Sequence, residues 1–292
     1  MQQFLNITLS GLTSGFIYAA FALCLVLIFR ATRIINFGQG AQAMFTTYIA
    51  LEVFRSTGSY WLGLIAALIS GFVLGALVER LIVRHVETGP EINAVIVTLG
   101  LFVGLIALAA VVFGNTFEGF PAPFAVRGIV VGDTAINITP TNLYSIGAVL
   151  VAMGLLVALF RFTSLGLQMR AAAFGQEVAR LLGVRVGQML TLGWALAGLF
   201  GSLAGLLIAG GSFISPNFMD GVVVFGFVAA VLGGLDSFLG AVVGGLVLGL
   251  SLAFVQGYIA AELVTLAALG ILMVVLLLKP GGLFSSSVAR KV

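Results

Sequence analysis

The chain of 292 residues is short of almost everything a soluble protein uses to face water. Only 8% of its residues are charged, against about 25% in a soluble domain, while 61% are hydrophobic and the mean hydropathy is +1.24. That shortage excludes a water-soluble globular domain and leaves an integral membrane protein. Cysteine is all but missing: Cys24 alone rules out an intramolecular disulfide, and with the single His85 it leaves too few soft ligands for a structural zinc site, so no metal is expected. Lysine occurs only at Lys279 and Lys291, and there is no Gly-x-x-x-x-Gly-Lys-Ser/Thr phosphate loop, so the chain cannot hydrolyse ATP by that route. A buried chain of acids and histidines for proton coupling is absent too, as is a catalytic cluster. These absences point to a non-enzymatic conduit, passive or driven by partners, with no cofactor of its own.

What the sequence has is long uncharged stretches. A crossing helix needs roughly 20 mostly apolar residues, and the gaps between charges give nine stretches: 1–29, 34–51, 56–78, 92–117, 134–160, 186–219, 221–235, 237–261 and 263–278. Most are long enough to span, with 34–51 and 263–278 near the lower limit. The stretch 221–235 is too short, reaching about 22 Å against a hydrocarbon core of about 30 Å. It reads as a half-helix or re-entrant arm, which must be buried in protein or face a water-filled cavity. The expected fold is an all-α polytopic membrane protein with about eight transmembrane helices plus a short re-entrant or broken hairpin near 221–256. No composition shift marks a second domain, so 1–292 reads as one transmembrane domain.

Positive charge orients the chain. The first basic residue is Arg30, so the opening apolar run lacks a basic n-region and reads as a retained helix rather than a cleaved signal peptide. With the N-terminus outside, successive crossings put Arg30, Arg33, Arg80, Arg84, Arg161, Arg170, Arg180, Arg185, Lys279, Arg290 and Lys291 on the cytoplasmic side. Only Arg55 and Arg127 fall outside, a strong positive-inside bias. The parity requires 221–261 to leave and return as a hairpin with its tip at Gly233-Gly234-Leu235-Asp236-Ser237, and it leaves the C-terminus cytoplasmic. The net charge of +3 is explained by these anchors and not by nucleic-acid binding.

Two loops exceed a simple turn. The outer one, 114–141, carries Pro121, Pro123 and Pro140 and a Val-Arg-Gly-Ile-Val-Val-Gly-Asp run that reads as a short hairpin or an extended cover. The inner one, 161–187, holds good helix formers with interleaved charge from Leu165 to Gly183, the pattern of a helix lying at the membrane surface. Glycines recur at GxxxG spacing (11/15, 71/75, 100/104, 201/205, 240/244, 245/249), which lets helix backbones approach closely.

Four features could carry chemistry. Asn36-Phe37-Gly38-Gln39-Gly40-Ala41-Gln42 is polar and broken by glycine, suited either to a discontinuous helix lining a pathway or to an interfacial helix start with solvated amides. Asp236 is either a functional intramembrane acid or a turn residue before Ser237. The inner helix offers either a solvated amphipathic face or a docking surface. Glu79, Arg80, Arg84 and His85 read most simply as membrane anchors at a helix end.

Four blocks resemble the membrane permease of branched-chain amino acid ABC importers, the shorter of its two permease types: Ile34-Ile35-Asn36-Phe37-Gly38-Gln39-Gly40; Met169-Arg170-Ala171-Ala172-Ala173 continuing to Ala179-Arg180-Leu181-Leu182-Gly183-Val184; Phe227 to Ser237 with Gly240 to Gly245; and Lys279-Pro280-Gly281-Gly282-Leu283-Phe284. The likeness covers nearly the whole chain, with Asp236 standing where a glycine is common in the family. It implies a periplasmic binding protein that delivers substrate, a second homologous permease, two ATP-binding subunits, and a place in the cell inner (plasma) membrane. It further implies coupling to the ATPases through Arg170, Ala171, Ala172, Ala173, Glu177, Arg180 and Gly183. A pathway would then run past Asn36, Phe37, Gln39, Gly233, Gly234, Asp236 and Ser237. Alternatives are a related permease for urea, amides or sugars, a stand-alone channel or secondary transporter, and a membrane scaffold without transport.

Overall fold

The computed structural model describes residues 2–86, 89–125, 127–131, 134–136 and 138–284. Its helices are α1 (Gln2–Thr32), α2 (Gln39–Thr57), α3 (Tyr60–Leu81), α4 (Glu91–Phe113), α5 (Pro140–Phe162), α6 (Ser164–Phe174), α7 (Gln176–Leu181), α8 (Val186–Ala209), α9 (Asp220–Gly233), α10 (Phe238–Tyr258) and α11 (Val264–Leu278). Short strands β1 (Glu118–Gly119), β2 (Ile129–Val131), β3 (Thr134–Ile136) and β4 (Phe213–Ile214) decorate the connections. Among the described residues, seven helices are long and apolar enough to cross a membrane, so this is a polytopic all-α membrane protein. In addition α9, with 14 residues, is the expected short arm, and α2 is a broken crossing.

The stretch 34–51 forms its helix later than its charge gap suggests. Residues 34–38 are non-helical, and α2 starts at Gln39 and continues past Glu52 and Arg55. Its far end tolerates those charges because Arg55 donates to Glu52 at 2.7 Å and to Glu118 at 2.6 Å. The opposite end of the bundle is marked by Arg33, which pairs with Asp236 at 2.7 Å. These landmarks define an Arg55 end and an Arg33 end.

In lipid there is little hydrophobic drive between helices, so close backbone contact supplies much of the attraction. The glycines deliver it. Gly11 and Gly15 of α1 lie against Ala253 and Gly249 of α10, Gly71 and Gly75 of α3 against Gly198 and Trp194 of α8, and Gly240 and Gly244 of α10 against Gly233 and Ala229 of α9. Gly201 and Gly205 of α8 receive α2, and Gly245 meets Ala19. The pair Gly100 and Gly104 behaves differently from the spacing argument: both face open space on α4, a helix at the rim of the bundle. The result is a core built on α1, α2 and α8, whose middle is buried, with α4, α5 and α11 around it.

The loop 114–141 holds a hairpin, β2 pairing antiparallel with β3; Val126, Gly132 and Asp133 of its predicted run lie outside the described residues. A contact that the sequence does not announce is β1 pairing with β4, which ties this loop to the end of α8. The loop 161–187 is two helices rather than one, because the chain turns extended at Gly175 between α6 and α7.

Candidate functional site

The break before α2 is a closed hydrogen-bonded knot. The Asn36 side-chain amide donates to the Gln39 carbonyl oxygen at 3.0 Å, the Gly38 N–H donates to Asn36 Oδ1 at 3.0 Å, and the Gln39 amide donates to the Ala197 carbonyl of α8 at 3.0 Å. Asn36 and Gln39 are buried, and a Cβ at Gly201 would occupy the place of the Gln39 amide. The glycine at 201 is what admits the contact. Because Ala197 lies midway along α8, the break sits deep in the bundle, where an unsatisfied amide would be costly. Phe37 instead borders an apolar cleft with Leu25, Val223, Phe227 and Leu272. Gln42, one turn further on, is only 2% exposed, and neither its nitrogen nor its oxygen finds a protein partner among the described residues.

The predicted hairpin tip is found at the Arg33 end. Gly233 and Gly234 are buried, and Gly234 has φ of +103°, which suits a residue without a side chain at the end of α9. Ser237 caps α10 by accepting from the Gly240 N–H at 2.9 Å. Asp236 is a half-exposed turn residue whose carboxylate takes the Arg33 guanidinium. The Lys279 to Phe284 segment closes the tip, with the N–H groups of Leu283 and Phe284 donating to the last carbonyls of α9, Leu232 and Gly233, at 2.8 and 3.1 Å.

Beside this tip lie α6 and α7. Met169, Ala172 and Ala179 face inward onto α8, with Val186 and Met189 beneath them, while Gly166 lies against Leu159 and Phe160 of α5. Ala171 and Ala173 are half-buried, while Arg170, Glu177, Arg180 and Gly183 are exposed. Between these charges stand Phe174 at 96% and Leu181 at 88% exposure, with Leu167, Val178 and Leu182 also exposed. Charge interleaved with bare apolar side chains is the composition of a contact surface.

The cluster at the end of α3 is a buried latch, and the membrane-anchor reading of Glu79 and Arg84 is corrected. Glu79 is fully buried and accepts from Arg84 Nε at 3.0 Å and from Thr191 Oγ1 at 2.6 Å. Arg84 also donates to the Gly187 carbonyl at 3.0 Å. A carboxylate that deep needs a charged partner, and Arg84 comes from the same chain turn while Thr191 comes from α8. The latch fastens α3 to the start of α8, directly after α7.

The family model described as "Branched-chain amino acid transport system / permease component" matches residues 7–277. The chain belongs to this permease family. Individual relatives span it end to end. A protein named as the high-affinity branched-chain amino acid transport system permease LivH of Salmonella typhimurium is 28% identical, covering 99% of this chain and 98% of that protein. The LivH of Escherichia coli K12 is 27% identical with the same coverage, and BraD of Pseudomonas aeruginosa is 28% identical over 100% and 98%. Among solved structures, a metal-chelate type ABC transporter in an inward-facing conformation matches with TM-score 0.52 at 17% identity, covering 94% of this chain and 88% of that one. PsaBC from Streptococcus pneumoniae matches with TM-score 0.50 at 15% identity, covering 93% and 90%. At such identities the structures speak for a shared fold alone.

One set of polar residues in this permease escapes a reading based on charge. On α1, Gln2, Asn6, Ser10, Ser14 and Tyr18 fall four residues apart within the uncharged stretch 1–29. In the fold this row borders two successive clefts at the Arg55 end, one against Ala253 and Gln256 of α10, the other against Thr141, Asn142 and Ser145 of α5. Helical spacing of neutral polar residues was the signal available in the sequence.

Proposed function

We propose that this chain acts as a single transmembrane domain of an ATP-driven importer in the cell inner (plasma) membrane, carrying branched-chain, hydrophobic amino acids. A periplasmic binding protein would deliver the cargo, a second homologous permease would complete the membrane unit, and two separate ATP-binding subunits would drive it. The end-to-end likeness to branched-chain amino acid permeases supports the cargo. The observation that carries the coupling is the bare face of α6 and α7, with Phe174 and Leu181 almost fully exposed between Arg170, Glu177 and Arg180. In this reading the Arg33 end is cytoplasmic, the N-terminus is outside, and the ATPases seat on α6 and α7. Closure of the ATPase pair pushes this face, and the start of α8 transmits the movement. The binding protein biases the outward- and inward-facing states through its differential affinity for them. Asn36 and Gln39 hold the broken α2 in shape, while Phe37 and the tip formed by Gly233, Gly234, Asp236 and Ser237 flank the moving pathway.

Proteoliposomes test the reading. Labelled leucine should accumulate only when this chain, partner permease, ATPases, binding protein and ATP are all present. Leucine uptake by the chain alone would instead make it a self-sufficient channel or secondary transporter. Phe174→Asp and Arg170→Glu should abolish co-purification of the ATPases while leaving the chain in the membrane; normal co-purification and uptake would sink the coupling surface.

A further inference from the structure

A bilayer-spanning helix that keeps polar groups accessible along one row needs something polar beside that row. On α1 the row is Gln2, Asn6, Ser10, Ser14 and Tyr18, a ridge of residues four apart that follows the helix from its exposed tip to its middle. Asn6, Ser10, Ser14 and Tyr18 are each partly accessible, whereas Phe21 to Ile28, further along the same helix, are buried. The row borders a cleft of about 530 Å³ beside α10 and then one of about 310 Å³ against α5, α8 and α9.

The deeper cleft has a definite chemistry. Thr13 and Ser145 donate their hydroxyl protons to backbone carbonyls, Leu9 and Thr141 respectively, each at 3.0 Å. Their oxygens therefore keep lone pairs for an N–H donor. The opposite wall is aliphatic, formed by Ile17, Leu207, Ile208 and Val222. Among the described residues, none of those bordering either cleft has a charged side chain.

We propose that the α1 row and these two clefts form the entry track for the transported solute, taking a small zwitterion whose ammonium group meets hydroxyl acceptors and whose aliphatic side chain meets the opposite wall. The naming of the solute rests on the importer reading above; the track itself rests on the row and the clefts. Lacking charge, the track holds its solute weakly, which favours passage over retention. Hydrocarbon tails fit it poorly, because they would leave hydroxyl oxygens such as those of Thr13 and Ser145 facing lipid.

The experiment uses the complete transporter in proteoliposomes with external binding protein and internal ATP. Ser10→Leu and Ser14→Leu should lower leucine uptake at least tenfold while the partner permease and ATPases still co-purify and ATP is still hydrolysed. Uptake at the unsubstituted level, or loss of the partner permease on purification, would overturn the track, the second outcome marking the row as a subunit interface. A second measurement is independent of cargo. Ser14→Cys should react with a cationic, membrane-impermeant thiol reagent added outside, and Val73→Cys, exposed on α3 away from both clefts, should not; the native Cys24 is buried and gives little background. Equal reactivity of the two positions would overturn the track. If the unsubstituted complex takes up no leucine, the importer reading falls, and the labelling contrast still decides the track.

Discussion

Two polar regions of this protein lie within the membrane-spanning bundle and are treated in opposite ways. In the knot before α2, the amides of Asn36 and Gln39 are consumed by each other and by the backbone at 38 and 197. Along the N-terminal half of α1, hydroxyls and amides border open clefts. The first region shapes a chain break, and the second lies beside open space. Polarity in a membrane protein is thus informative only once its hydrogen-bond partners are known.

That contrast can be pressed from the strongest architectural interaction down to the weakest. Arg84→Ala should be the most damaging substitution, since it strands the fully buried Glu79 carboxylate; a loss of about 3–5 kcal/mol is expected for a broken buried pair. Unfolding of the purified protein in detergent measures it, and Glu79→Met with Arg84→Met should recover most of the loss. If the double variant is no more stable than Arg84→Ala, the latch is not an ion pair that stands or falls as a unit. Next, Gln39→Leu should cost about 1–3 kcal/mol by stranding the buried Asn36 amide. Gln42→Leu, one turn along the same helix, should have the opposite sign and stabilise by about 1 kcal/mol, because it removes a buried amide that has no protein partner. The same unfolding assay decides the pair, and a destabilised Gln42→Leu would mean that the amide is used in another conformation.

Smaller effects belong to the surface. Asp236→Asn breaks a pair whose side chains are 60% and 44% exposed, so it should shift stability by less than about 1 kcal/mol, with the difference fading in high salt. Ser10→Leu and Ser14→Leu should change stability least, within about 0.5 kcal/mol, even though uptake is where their effect is expected. A large loss of stability in either serine variant would move the α1 row into the same architectural class as the knot.

Much of the arrangement was legible in local sequence. The arm at 221–235 betrayed itself by length, its tip by Gly233, Gly234 and Ser237, and the break before α2 by Asn36 and Gly38. The surface position of 165–183 followed from its charge pattern, although the extended backbone at Gly175 that splits it did not. What stayed hidden depends on distant partners. Glu79 and Arg84 look like a pair of anchors until Thr191, 107 residues beyond Arg84, brings its hydroxyl between them. Gly100 and Gly104 share the spacing of the other glycine pairs but have no helix opposite them, a fact of topology that spacing cannot carry. The row on α1 carries no formal charge, so its serines and amides leave no mark on the charge pattern of the chain.

The two backbone bonds from Leu283 and Phe284 to the end of α9 also bear on how the protein is put together. As a short arm, α9 is poorly equipped to hold itself across a bilayer, and its terminal carbonyls are satisfied by residues that lie beyond both α10 and α11. During synthesis those residues are made only after α10 and α11, so the arm exists before the groups that satisfy its end. The arm must therefore wait, sheltered by α1 and α10, and its final seating is a late event in assembly. Topogenesis here closes from the far end backwards, with the most irregular span secured last.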